Sequence, residues 1–225
     1  ENGACAYSLD SGVTNTTMQN NGNRDFNATN ASIADGTYTA RYYCNDSAGN
    51  WNRTSSRIFG IDTTKSLISY GVGTNNDAVN LSINSVYVNV SVTETNFANI
   101  TFTLRNDTAQ VNSTTFTALT RTMNWTGLAD TNYTYNVSIR DTANNFNSTS
   151  TRTVSVDVTL SLISYGVSTE NDGMNFSRSN IYVNLTITET NFANITFSLY
   201  NDTTAVNTTI FTTITRTMNW TGLAE

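Results

Sequence analysis

The sequence predicts an all-β chain built from tandem sandwiches, and three observations carry that prediction. The first is a repeat: a shift of 95 positions carries Asp35, Tyr38, Asp46, Ala48, Asn50 and Asn52 onto Asp130, Tyr133, Asp141, Ala143, Asn145 and Asn147. The same shift carries residues 66–72 onto 161–167 and residues 93–102 onto 188–197. A period of that length is too long for a solenoid repeat and close to the roughly 100 residues of one sandwich domain. The second is an alternation of apolar and polar residues with period two, the pattern of half-buried strands. The third is the lack of any amphipathic helical stretch in a chain with no Pro, no His and 12% charged residues.

The repeat divides the chain into residues 1–64, which carry the later strands of a domain, 65–159, a whole domain, and 160–225, the earlier strands of another. Both ends are expected to fall inside a domain. In the whole domain Ile68, Tyr70 and Val72 mark strand A, and Val86, Val88, Val90 and Val92 mark strand B. Ile100, Phe102 and Leu104 mark C, and the Asn106-Asp107 turn leads to a weaker strand near 109–112. Leu119, Met123 and Trp125 belong to E, and Tyr133, Tyr135, Val137 and Ile139 form the inner face of F. After a turn at 141–145, Val154, Val156 and Val158 form the inner face of G, which makes seven strands. The inward positions keep their character elsewhere: Ile181, Val183, Leu185 and Ile187 repeat B, Ile195, Phe197 and Leu199 repeat C, and Phe59 and Ile61 match G. About four such side chains per strand, at roughly 1.5–3 kcal/mol each, supply enough burial for a domain of this size.

Residues 125–133 resemble the E–F corner of fibronectin type III and related domains, where a Tyr at the start of F bonds back to the backbone. The Asp-Gly-x-Tyr of residues 35–38, the Asp-x-Ala-Gly-Asn turn of residues 46–50 and Ile61-Asp62-Thr63-Thr64 are similar to tandem immunoglobulin-like repeats of bacterial and archaeal cell-surface proteins, adhesins and S-layer-type glycoproteins. That resemblance implies immunoglobulin-like β-sandwiches and an extracellular, cell-surface location. Lys65 stands where the family has Pro, which implies a softer linker.

Cys5 takes the place of Ile100 and Cys44 that of Ile139, so both are expected on the inner face of neighbouring strands C and F. A disulfide is the favoured reading, worth about 3–4 kcal/mol on the chain-entropy model; two buried thiols are the alternative. With no His and no Cys-x-x-Cys, metal and redox chemistry are not expected.

The strongest functional signal is the Asn-x-Ser/Thr acceptor for N-glycans. It occurs at Asn15, Asn27, Asn30, Asn45, Asn52, Asn80, Asn89, Asn99, Asn106, Asn112, Asn124, Asn132, Asn136, Asn147, Asn175, Asn184, Asn194, Asn201, Asn207 and Asn219. Asn89, Asn99 and Asn136 are expected to point outward from B, C and F. The six acceptors from Asn80 to Asn124 all recur 95 positions later. The competing explanation is composition, since Asn- and Thr-rich strands form such triplets by accident and duplication copies them.

Other chemistry is thin. Asp46, Asp141, Asp62 and Asp157 could bind Ca²⁺ at a domain junction, but Asp in turns more commonly caps backbone N–H groups. Tyr42, Tyr43, Trp51, Phe146, Trp125 and Trp220 could stack on sugars, though inner-face aromatics are usually core, and only Tyr43 and Trp51 are expected to be exposed. Lys65, the only Lys, excludes a Lys–Asn cross-link in every domain. No catalytic constellation appears, no cofactor is expected beyond covalent N-glycans, and a net charge of −6 lacks the basic footprint of a nucleic-acid binder. No apolar run is long enough to span a membrane.

The expected function is structural: an N-glycosylated extracellular repeat protein forming a cell-surface filament, sheath or stalk, with copies of itself joined head to tail. The alternative is an adhesin that binds glycan or protein ligands, including cell-surface glycans. Because loops repeat as faithfully as strands, the structural reading is preferred. The partial domains are expected either to continue in a longer array or to be completed by strands from a neighbouring copy. The first is favoured, because exact complementation would duplicate residues 1–35.

Overall fold

The computed structural model describes residues 3–22, 24–202 and 204–223, which form two compact units, Glu1–Asp157 and Val158–Glu225. In the first part of the first unit, Cys-Ala-Tyr-Ser forms strand β1 (Cys5–Ser8), and the alternation of Tyr38, Ala40 and Tyr42 with Thr37, Thr39 and Arg41 makes β5 (Gly36–Asn45). Between them lie the short β2 (Thr16–Thr17), β3 (Gln19–Asn20) and β4 (Phe26–Asn27); after them come β6 (Trp51–Arg53) and β7 (Arg57–Ile61). β1 sits between β2 and β5, while β6 and β7 pair in succession with β5, all antiparallel; β3 and β4 form a separate hairpin.

The whole domain follows with β8 (Leu67–Tyr70), β9 (Val79–Leu81), β10 (Ser85–Thr93), β11 (Phe97–Asn106), β12 (Gln110–Phe116), β13 (Thr122–Thr126), β14 (Thr131–Asp141), β15 (Phe146–Ser148) and β16 (Arg152–Val156). One sheet has the order β13-β10-β8, the other β12-β11-β14-β16-β9 with β15 also on β14. In letters this is E-B-A facing C′-C-F-G, an immunoglobulin-like sandwich of the fibronectin III arrangement. Val86, Val88, Ile100, Phe102, Leu104, Val137, Ile139 and Val154 are all fully buried between the sheets, as the period-two pattern requires.

Five details depart from the sequence reading. Strand A stops at Tyr70, and Val72 is 95% exposed. Residues 71–74 turn over β10 instead: Gly71 N donates to Asn89 O and Thr74 Oγ1 donates to the same carbonyl. Strand G ends at Val156, so Val158 is exposed rather than inward. Leu119 precedes β13 but still packs on the core, and the strand after Asn106-Asp107 runs to Phe116. Nine strands replace the seven expected, because β15 continues the β14 hairpin and β9 pairs in parallel with β16, Val79 opposite Val154 and Leu81 opposite Val156.

The corner before β14 is as the resemblance implied. Tyr133 Oη donates to Ala129 O at 3.0 Å, and Tyr38 Oη donates to Ala34 O at 2.7 Å in the first region.

The second unit contains β17 (Leu162–Tyr165), β18 (Asn180–Thr188), β19 (Ile195–Tyr200), β20 (Ala205–Phe211) and β21 (Thr217–Thr221), arranged as a β17-β18-β21 sheet and a β19-β20 pair. Its register mirrors the whole domain: Ile181 faces Trp220 as Val86 faces Trp125. Phe197 is buried edge-on against Phe211 and Trp220. Ile163 and Tyr165 are exposed, unlike their half-buried counterparts Ile68 and Tyr70. Among the described residues no helix is long and apolar enough to cross a membrane.

Candidate functional site

The acceptor asparagines lie at the surface. Twelve are exposed, and the other eight (Asn45, Asn89, Asn99, Asn106, Asn112, Asn136, Asn147 and Asn184) are half-buried. A glycan bonds to Nδ2, so the freedom of that nitrogen separates them. Asn99 and Asn136 stand on the outward face of β11 and β14 among Thr101, Thr103 and Thr134, and no residue of the described structure hydrogen-bonds their side chains. Asn15, Asn27, Asn80, Asn124, Asn175 and Asn194 are exposed and likewise unbonded.

Asn89 is different. Its Nδ2 donates to Val72 O at 3.0 Å, its N–H to Thr74 Oγ1, and it lies under the 71–74 turn. A methyl group on Gly71 would come 3.0 Å from that Nδ2, so glycine is what lets the turn close over it. Asn184 repeats this with Val167 O at 2.9 Å, Thr169 and Gly166. Asn147 is held too, through Nδ2 to Ser66 O at 2.8 Å. Asn132 reaches Asp107 Oδ2 at 3.5 Å. Asn112 and Asn207 each use Oδ1 to accept the indole N–H of a Trp, Trp125 at 3.1 Å and Trp220 at 3.0 Å. Asn106, Asn201, Asn30 and Asn52 cap nearby N–H groups through Oδ1, and Asn219 Oδ1 accepts from Asn180. Part of the 95-residue recurrence therefore has a structural cause: Asn89 and Asn184 hold a turn by Nδ2 donation, and Asn112 and Asn207 accept an indole N–H through Oδ1.

The junction between residues 1–64 and 65–159 is a second site that the sequence only partly displayed. From the first side, Asp35 Oδ1 accepts Thr63 N at 2.9 Å and Thr63 Oγ1 at 2.8 Å, and Oδ2 accepts Thr64 Oγ1 at 2.7 Å. From the other side, Asn96 Nδ2 donates to Asp62 Oδ2 at 2.7 Å and Asn145 Nδ2 to Asp62 O at 2.9 Å. Asp62 Oδ1 accepts Thr64 N, and buried Ser66 donates to Glu94 Oε2 at 2.5 Å. The hydroxyl of Thr64, followed by the hydroxyl and the N–H of Thr63, holds the Asp35 carboxyl below the usual range. Asp130, Asp157, Thr159, Ser161, Glu189 and Asn191 stand 95 positions after Asp35, Asp62, Thr64, Ser66, Glu94 and Asn96. Within the second unit Ser161 donates to Glu189 and Asn191 N to Glu189 Oε1.

Of the aspartates weighed for Ca²⁺, Asp46, Asp62 and Asp141 have carboxylates engaged with donors. Asp46 Oδ1 accepts Ala48 N and Asn50 N and Oδ2 accepts Asn50 Nδ2, each at 2.9 Å. The Asn50 amide, followed by its N–H, depresses the Asp46 pKa. Asp141 repeats the turn with Asn145 at 2.8 and 2.7 Å. Burial alone would raise the Asp141 pKa, and the donors of Asn145, Ala143 and Asn144 together bring it below the usual value. Asp157 donates its N–H to Leu81 O. Among the described residues no group of three or more Cys, Asp or Glu gathers as a metal site.

Cys5 and Cys44 are bonded, directly opposed across β1 and β5. Cys5 is buried, but Cys44 is exposed rather than inward-packed, because among the described residues no β13-β10-β8-type sheet lies over this part of β5. The aromatics also sort differently from expectation. Trp51 is 58% exposed as anticipated, but Tyr42 rather than Tyr43 is the exposed tyrosine. Phe146, expected in the core, is 44% exposed with the Arg140 guanidinium over its ring. Trp125 is core and Trp220 half-buried.

No protein-family model matches the chain, and no curated protein does. Among solved structures, the fibronectin(III)-like modules of Clostridium thermocellum CbhA align at 12% identity and a TM-score of 0.39, over 69% of this chain and 77% of theirs. The FN1–FN3 domains of chicken CNTN1 align at 8% identity and a TM-score of 0.32, over 98% of this chain and 80% of theirs.

Proposed function

We propose that the chain is a structural, non-enzymatic, N-glycosylated repeat protein of the extracellular surface, part of a filament, sheath or stalk in which copies join head to tail. The observation that carries this reading is the junction at Asp62. Domains on a free linker swivel independently, whereas this linker is bonded to the domain before it through Asp35 and to the domain after it through Asn96 and Asn145. Each bond contributes on the order of 0.5–1.5 kcal/mol, and several together favour one orientation. Hydrogen bonds here do what Pro does in the family that the sequence resembles, so Lys65 need not mean a slack linker. A cross-strand disulfide fits an oxidising compartment, and twenty surface acceptors fit a sugar-covered exterior.

Two measurements test it. Residual dipolar couplings on the chain are expected to report one shared alignment for residues 36–61 and 67–156, lost in an Asn96→Ala/Asn145→Ala variant whose sandwich stays folded. Independent alignment in the unmodified chain would remove the main support. Glycopeptide mapping is expected to find sugar at Asn99 and Asn136 and bare side chains at Asn89 and Asn184, where Nδ2 is committed.

A further inference from the structure

The hairpin that follows the long central strand occurs twice, and its two copies differ at one cross-strand pair. In the whole domain Arg140 faces Phe146 across β14 and β15, and its guanidinium carbon lies 4.9 Å from the Phe146 ring centre. A cation thus covers the face of an otherwise open aromatic. In the first region the same pair is Asn45 and Trp51. Opposed residues of an antiparallel pair share a face, with Cβ atoms about 4.5–5.5 Å apart. Trp51 is 58% exposed, and among the described residues no cation or second ring covers it. Tyr43, two residues before Asn45 on β5, shares that face.

Asn45 heads the acceptor Asn45-Asp46-Ser47. Its amide is held in one orientation, because Oδ1 accepts Ala4 N at 2.6 Å. Nδ2 is left unbonded on the opposite side of the amide from Ala4. We propose that Asn45 is a glycosylation site whose first sugar ring lies on Trp51, in the place that the Arg140 guanidinium takes over Phe146; this rests on the glycoprotein reading above. One face of a pyranose presents polarised C–H bonds, and the negative face of an indole attracts them as it does a cation. Attachment replaces one Nδ2–H bond with a bond to the anomeric carbon of a lipid-phosphate-activated sugar. The phosphate leaves with the electron pair of the anomeric C–O bond, and the amide proton passes to a base of the transferase.

The test uses the full chain secreted from a host that transfers glycans to Asn-x-Ser/Thr, beside a Ser47→Ala variant that abolishes the acceptor but keeps Asn45 and its bond to Ala4. Glycopeptide mapping reads occupancy, and N-bromosuccinimide oxidation followed by peptide mass spectrometry reads the exposure of Trp51 against the buried Trp125. The expected result is sugar at Asn45 and oxidation of Trp51 several-fold slower than in the Ser47→Ala chain. Equal oxidation with Asn45 occupied overturns the contact. A bare Asn45 with sugar at Asn99 or Asn136 overturns this proposal and leaves the glycoprotein reading standing, and a chain with no sugar at any acceptor overturns both.

Discussion

Ile100 faces Ile139, and Cys5 faces Cys44, at equivalent places on equivalent strands. The isoleucines have no solvent exposure because a second sheet lies over them; Cys44 is open to solvent. In the first region Tyr42 and Phe59 lie beside Tyr7 of β1 and loop residues such as Leu9, Met18 and Ile33, which leave a hollow of about 180 Å³. The same strand pair is thus secured in two ways. Where apolar burial is complete, packing holds it; where burial is partial, a covalent bond constrains the unfolded chain instead.

The comparison predicts unequal responses. Phe102→Ala should cost about 3–5 kcal/mol, since Phe102 is fully buried edge-on against Phe116. Tyr42→Ala, at the position equivalent to buried Val137 but 44% exposed, should cost under about 1 kcal/mol. Urea denaturation measures both, and similar costs would erase the distinction. Replacing both cysteines by Ala should cost the first region about 3–4 kcal/mol for a closed loop with a sequence separation of 39. Hydrogen exchange should then accelerate in β1 and β5 while β10–β16 keep their protection. A uniform loss would mean that the two regions unfold as one.

Tyr133→Phe should cost about 1 kcal/mol for a part-buried bond to Ala129 O, and Tyr38→Phe less, because its bond to Ala34 O is exposed. The smallest effect is in acid. Asp46 and Asp141 have pKa values depressed by their turns. Their contribution is therefore present above the unfolded value of about 3.9 and is lost as pH falls through the lower folded values. NMR titration should place both midpoints below 3.9, and Asn50→Ala or Asn145→Ala should raise the respective midpoint. An unmoved midpoint would assign the shift to something other than the amide.

Much of the fold was legible because period two tells inside from outside wherever a strand is long, as in residues 85–93 and 131–141. Short elements were not. β9 offers only Val79-Asn80-Leu81, too few residues for a period, and its parallel partner is distant in sequence. Val72 continued an alternation that Gly71 had already ended, and only the close approach of Asn89 explains that glycine. Phe146 read as core because nothing local says that Arg140 would cover it. Of the sites, the disulfide partners were visible through the repeat, since Cys5 and Cys44 map onto two inward isoleucines. The junction was visible only as Asp62-Thr63-Thr64: Asn96 and Asn145 reach it from 34 and 83 residues away. The acceptors were visible as triplets, but which nitrogens are committed depends on neighbours such as the Val72 and Ser66 carbonyls.

The bond between Cys5 and Cys44 also decides where a pull on the chain would run. Tension entering before Cys5 crosses through the two sulfurs to β5 and bypasses the 38 residues from 6 to 43 enclosed by the sequence separation of 39. At roughly 3.3–3.6 Å per extended residue, about 130 Å of slack is locked away however far the enclosed strands separate. Extensibility at this end of the chain is then set by a reductant, since only cleavage of the sulfur–sulfur bond releases that length.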